Sequence, residues 1–312
     1  MTTASPPTGS PPPLLRDLLD DAAIFPPGEA PMAQAVPAHA VHVSAWYADL
    51  VGPFVCSGSR LPDLLDALDA TPEVAALDVA VVLDRGTGSL HEVAGLVADD
   101  TRLLLAGVEM PLRGEAPADA ARRAVATVDA VLGGPDDRRP VSIEVPWAPG
   151  WREALEVVAE AGHRAKLRTG GASAAAHPDE PALAERVLAC LDLDVPFKLT
   201  AGLHHAVRRT EPDTSFEQHG FLNVLLAVGS ALDGGGVDDV ARVLADRDGP
   251  ALAARAAALD EAGAGRLRRW FASFGTCSIA EPVEDLVALG LLTPGGPDGE
   301  LPPGGPDGEV PE

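Results

Sequence analysis

The chain has 312 residues and a formal net charge of −24, with 46% apolar and only 4% aromatic residues. That is enough apolar material for one large domain or two ordinary ones, with a core built mainly from Ala, Val and Leu. The excess of acid argues against nucleic acid or an anionic membrane as partner, and no apolar run is long enough to span a bilayer.

Residues 1–13 are rich in Pro, Ser and Thr and read as a disordered arm. They carry neither the basic nor the apolar region of a secretory signal. A short helix from Leu14 to Asp20 leads into a first strand at Ala22-Ala23-Ile24-Phe25, stopped by Pro26-Pro27-Gly28. Asp17, Asp20 and Asp21 then read as a charged helix face and turn. Residues 31–50 read as a helix with a break at Pro37. Tyr47, His39 and His42 on it are packing or surface residues. A second strand covers Pro53 to Cys56, and Leu61 to Leu68 has the leucine spacing of a helix.

The alternation continues. Strands are expected at Val79 to Leu83, Arg102 to Val108 (ending at Glu109) and Val141 to Val145, which contains Glu144. Helices are expected at His91 to Ala98, Ala116 to Leu132 and Arg152 to Ala161, the last with Gly162 as its stop. Two lysine-bearing strands follow, around Lys166 and Lys198, separated by a helix from Pro181 to Leu191. Residues 206–263 read as a long, mostly helical insertion broken at glycines. It is long enough for a lid over a site or for a contact between copies in a homo-oligomer. Trp270 to Phe274 is the eighth strand and Glu281 to Leu289 the last helix. Residues 293–312, with PGGPDGE twice, read as a disordered tail. The barrel domain itself is expected over 14–292.

Eight strands separated by helices are the pattern of an α/β fold of the (β/α)8 barrel type, the TIM barrel. An open doubly wound sheet is the runner-up, but no GxGxxG or P-loop pattern follows any strand. Cys56, Cys190 and Cys277 are odd in number and far apart, which reads as free thiols in a reducing cytoplasm. No Cys/His metal spacing is present, so no metal and no cofactor is expected.

Lys166 and Lys198 are the only lysines; the other 21 basic residues are arginines. Arg stays charged in a protein, whereas Lys can lose its proton and act as nucleophile or base. Each lysine lies in a short apolar run that reads as a strand, where an unpaired charge is costly. Survival by chance in an Arg-biased composition is the plain alternative. On adjacent parallel strands the two amines can share a pocket, one ammonium disfavouring protonation of the other. The resulting amine could form a Schiff base, with Glu109 or Glu144 relaying protons. Arg168 could clamp an anionic group, and the amides of Thr169, Gly170 and Gly171 could cradle one. Thr-Gly-Gly is equally a permissive turn.

The segments AKLRTGG, FKLTAGLHH and SFGTCS resemble those of the deoxyribose-phosphate aldolase family. The resemblance covers about the last half of the barrel. Lys166 with Thr169 and Gly170 matches the family's Schiff-base segment, and Lys198 with Ala201-Gly202 looks like its second lysine strand. Phe274-Gly275-Thr276-Cys277-Ser278 looks like its segment after the eighth strand, and Glu109 falls near the position of its proton-relay aspartate. The resemblance implies a class I, metal-independent aldolase-like lyase acting on a small aldehyde or ketone. Strand-end chemistry and the resemblance together give Lys166, Lys198, Glu109 and Glu144 as candidate catalytic residues, and Arg168, Thr169, Gly170, His204, His205, Gly275, Thr276 and Ser278 as candidate substrate-binding residues; Glu144, Arg168, His204 and His205 rest on their chemistry and place in the chain alone. The chain departs from the pattern at Ala201, where the family has glycine, and at Leu203-His204-His205, where the family helps hold phosphate. A non-phosphorylated or differently charged substrate is therefore expected. Two other readings stay open. One is a metal- or acid/base-dependent isomerase or lyase using Glu109, Glu144 and His204, His205 or His219; the other is a non-catalytic barrel that binds a small molecule.

Overall fold

Runs of alternating Val, Leu and Ala become parallel strands, and each is followed by an amphipathic segment that returns the chain along the outside of the sheet. The computed structural model describes residues 11–114, 116–133 and 139–295. In chain order the elements are β1 (Leu19–Asp21), α1 (Met32–His42), β2 (Val51–Ser57), α2 (Leu61–Ala70), β3 (Leu77–Val82), α3 (Leu90–Asp99), β4 (Leu103–Pro111) and α4 (Pro117–Leu132). The chain continues with β5 (Val141–Glu144), α5 (Trp151–Glu160), β6 (Arg164–Arg168), α6 (Glu180–Asp192) and β7 (Phe197–Thr200). Then come β8 (Arg209–Thr210), β9 (Glu217–Gln218), α7 (Phe221–Leu232), α8 (Val237–Ala245), α9 (Gly249–Ala257), α10 (Glu261–Arg268), β10 (Phe271–Thr276) and α11 (Ala280–Ala288). Eight strands close a parallel barrel in the order β1-β10-β7-β6-β5-β4-β3-β2. This is the expected (β/α)8 barrel. Among the described residues no helix is long and apolar enough to cross a membrane.

The first strand differs from the sequence reading. It is Leu19–Asp21, not Ala22 to Phe25, and a 3-10 turn at Pro13–Leu15 replaces the expected helix. Two adjacent aspartates look like a turn because a buried carboxylate is costly. Here each has a partner: Lys198 for Asp20 and His39 for Asp21. The helix expected over 31–50 ends at His42, with Pro37 inside it. The region between β7 and β10 is not only helical, since β8 and β9 pair as an antiparallel hairpin. The expected tail at 296–312 and arm at 1–10 lie outside the described residues.

Several helix starts are written locally. Asp179, Asp248 and Asp260 each accept a hydrogen bond from an amide in the first turn of α6, α9 and α10. Within the insertion, α7 is buried nearly all round. Its Asn223 is fully buried but satisfied: it accepts from the Arg208 amide and donates to the carbonyls of Val243 and Asp246.

The apolar core lies between barrel and helices. Phe54, Val79, Val81, Ile143, Leu167 and Leu199 are all buried strand residues. A register shift in β10 between Phe271 and Phe274 interrupts the two-residue alternation. The rings of Phe197, Phe271, Phe274 and Phe221 then run as a continuous stack, with neighbouring centroids 5.0–6.5 Å apart. Barrels of this type usually fill the lumen with branched apolar side chains. In this one, charges occupy it.

Candidate active site

Lys198 on β7 contacts Asp20 on β1 and Glu109 on β4. None of these strands is a neighbour of another in the barrel. Side chains can meet across such a separation only through the lumen. Alternation explains how they get there. Ala165 and Leu167 flank Lys166, and Phe197 and Leu199 flank Lys198; all four flanking residues are buried apolar positions. Lys166 and Lys198 are directly paired in register, and Glu144 is paired with Lys166 from the other side, so all three lie on one face of the sheet.

The charges form a continuous line. Ser273 Oγ donates to Asp20 Oδ2 at 2.8 Å, and Lys198 Nζ lies 2.5 Å from the same oxygen. Glu109 bridges the lysines, holding Lys198 through Oε1 and Lys166 through Oε2, the latter at 2.6 Å. Lys166 also reaches Glu144 at 3.1 Å, and Glu144 accepts from Arg168 Nε at 3.2 Å. Side-chain exposure rises along this line, from 3% at Lys166 to 18% at Glu144 and 46% at Arg168. The cluster therefore opens at the C-terminal rim of β5 and β6.

Its electrostatics differ from a bare pair of cations. Burial disfavours the Glu109 carboxylate, but Lys166 and Lys198 overcome that and hold it at about 2. Burial likewise opposes the Lys198 charge, yet Asp20 and Glu109 keep its ammonium well above the ordinary lysine range. The expected lowering of one lysine by the other does not operate on Lys198, because Glu109 stands between them. Burial pushes Asp20 upward despite its contact with Lys198. Of the three carboxyls, Asp20 alone has a single cationic partner, whereas Glu109 has both lysines and Glu144 has Lys166 and Arg168. Burial also opposes ionisation of Glu144, but Lys166 and then Arg168 bring it below the usual carboxyl range.

Above the cluster, the turns after β6 and β7 are locked together. Thr169 is buried, and its Oγ1 donates to Ala201 O at 2.7 Å. Its amide donates to Thr200 O, so that amide cannot serve the expected anion cradle. A Cβ on Gly170 would lie 2.8 Å from the backbone of Gly202, which explains glycine there. Ala201, at the position where the resembled family has glycine, adopts φ +61° beside Gly202 at +74°.

The remaining predicted residues do not join the cluster. His204 Nδ1 meets Glu281 Oε2 at 3.2 Å and Cys277 Sγ at 3.7 Å; burial disfavours its charge, but these two partners lift it to about 10. His205 sits between Asp285 at 3.1 Å and Arg209 at 2.8 Å. Both histidines thus serve to fasten the loop after β7 to α11. His219 is bonded to the Pro178 carbonyl and Arg208. Thr276 Oγ1 donates to Ser278 O at 2.8 Å in the turn after β10, and a Cβ on Gly275 would make ordinary contacts with Thr200 and Ala22 at 3.6 and 3.8 Å.

No known protein family, curated protein or solved structure matches this chain.

Sequence reasoning missed Asp20 and the buried pair of Asp21 with His39 Nδ1 at 2.9 Å, and it placed Ser273 among the polar residues around the eighth strand without giving it a role. A signal for Asp20 existed. Two lysines on lumen-facing positions need more than one carboxylate, and the Asp20-Asp21 pair immediately precedes an apolar run.

Proposed function

We propose that the protein is a class I aldolase-like lyase that forms a Schiff base between Lys166 and a small aldehyde or ketone. The observation that carries this reading is the bridging of the only two lysines by one buried carboxylate inside the barrel lumen. A buried ammonium with no chemical task is commonly replaceable by an apolar residue. Two of them sharing Glu109 form a relay that can gain and lose protons without bulk water.

The chemistry balances within the cluster. Lys166 passes one proton to Glu109 or Glu144 and its nitrogen attacks the carbonyl carbon. The carbinolamine oxygen takes up that proton and a second one from the nitrogen, then leaves as water. An iminium remains, and its positive charge stands where the ammonium stood, still facing Glu109. Glu144, partly exposed at the rim, suits proton exchange at the carbon next to the imine. Lys198 holds Glu109 in place beside Lys166. Arg168 is the cation at the rim left to hold an acidic group on the substrate. The three cysteines are unpaired, in keeping with a reaction in a reducing cytoplasm.

Borohydride trapping with a panel of small aldehydes and ketones, read by intact mass and peptide mapping, tests the proposal. The expected result is a stable adduct on Lys166, absent in Lys166→Arg and weakened in Lys198→Arg. An adduct on Lys198 alone would reverse the two roles. No adduct on folded protein across the panel would overturn the Schiff-base reading.

A further inference from the structure

A cavity of about 340 Å³ opens at the opposite, N-terminal end of the barrel. Arg164 at the start of β6, Pro140 just before β5 and Ala272 early in β10 line it, which fixes the end it occupies. Its inner wall is the underside of the charge cluster, at Asp20, Glu109 and Lys198. The volume lies at the lower end of the roughly 300–1,000 Å³ usual for small-molecule pockets.

Two guanidiniums line this chamber without adequate acceptors. The Arg164 guanidinium makes no hydrogen bond or ion pair with any described side chain; the charges that act on it at longer range are Asp20, attractive, and Arg268, repulsive. Arg268 donates through one terminal nitrogen to the carbonyls of Ala272 at 2.6 Å and Asp17 at 3.3 Å. Its other terminal nitrogen, Nη1, is buried and has no hydrogen-bond partner among the described residues. The chain holds 47 acidic residues against 23 Lys and Arg, so acceptors are plentiful in general. The carboxylates at this cavity do not make up the deficit. Asp20 and Glu109 are engaged by the lysines. Asp17 is exposed, and the oxygen it offers Arg268 is its backbone carbonyl. A buried donor left without an acceptor is costly, and a planar guanidinium is matched best by an oxyanion.

We propose that the chamber binds a compact oxyanion, a phosphate or a small carboxylate, held between Arg164 and Arg268 with Ser273 and Lys198 alongside. The site lies at the end of the barrel opposite the Arg168 rim, and its occupation requires no Schiff base, so it stands or falls separately from the aldolase reading. An anion there would lie beside Lys198 and Asp20, which line the same chamber.

Isothermal titration of the full chain with inorganic phosphate, and separately with malonate, at fixed ionic strength tests this. The expected result is saturable one-to-one binding of at least one of them. Stronger binding of phosphate assigns a phosphate site, and stronger binding of malonate a carboxylate site. Arg164→Gln is expected to weaken binding at least about tenfold. Arg268→Lys, which keeps the charge but loses the fork, is expected to weaken it too, with near-UV circular dichroism confirming that each variant is folded. If one variant does not fold, the other carries the comparison. Absence of saturable heat in the wild type up to about 10 mM of either anion overturns the proposal. So does binding that is unchanged in both variants.

Discussion

Glu109 holds two ammoniums at once, and its removal is the most informative single change. Glu109→Gln leaves Lys166 and Lys198 buried with one fewer counter-charge. Breaking a buried pair from one side costs about 3–5 kcal/mol, measurable by urea unfolding at pH 7. The pH dependence follows from the sign of the shift. The folded carboxyl sits at about 2, below the ordinary 4.5. Its stabilisation is therefore complete above 4.5 and is lost as pH falls through about 2. The difference in stability between wild type and Glu109→Gln should shrink across that window. A constant difference would mean that Glu109 is not the ionised hub. Asp20 is raised rather than lowered and works in the opposite direction, which is why the difference, not the wild-type curve alone, is the quantity to read. The lysines were legible in the sequence from their scarcity and apolar flanks. Asp20 was not, because its partner lies 178 residues away and its neighbours suggest a turn.

At the scale of elements, the turns after β6 and β7 approach closely at Gly170 and Gly202. Gly170→Ala would drive a Cβ into the Gly202 backbone, which cannot move aside as a side chain can. The expected cost is about 1–3 kcal/mol by chemical denaturation, comparable to overpacking a core. Gly95→Ala, on α3 with nothing near the new methyl group, is the control and should stabilise by up to about 1 kcal/mol. Equal effects at the two sites would remove the argument for a locked turn. Most strands and helices were legible because their periodicity is strong, as in the leucines of α2. The first strand was misplaced because it is three residues long and two of them are acidic. The β8–β9 hairpin was missed because a two-residue strand carries no period to read.

For the whole molecule, the net charge of −24 implies self-repulsion at low ionic strength. Raising sodium chloride from about 0.02 to 0.5 M shortens the Debye length from tens of ångströms to a few. The melting temperature should rise, with each 1 kcal/mol worth about 2–4 °C in a chain of roughly this size. A flat or falling melting temperature would mean that the surface acids are already balanced by local ion pairs. The lumen pairs should contribute little to the salt dependence, since buried charges are screened weakly. The amino-acid sequence by itself determined the barrel, because regular alternation of apolar strands and amphipathic helices allows few ways to bury both. It also singled out Lys166, Lys198, Glu109 and Glu144, since residue type and strand-end position are local facts. Only the tertiary structure decided that Glu109 would bridge the lysines, that Asp20 and Ser273 would complete the line, and that His204 and His205 would turn away to α11. Those outcomes depend on closure of the barrel, which brings strands distant in sequence within reach through a low-dielectric lumen where every charge must find a partner.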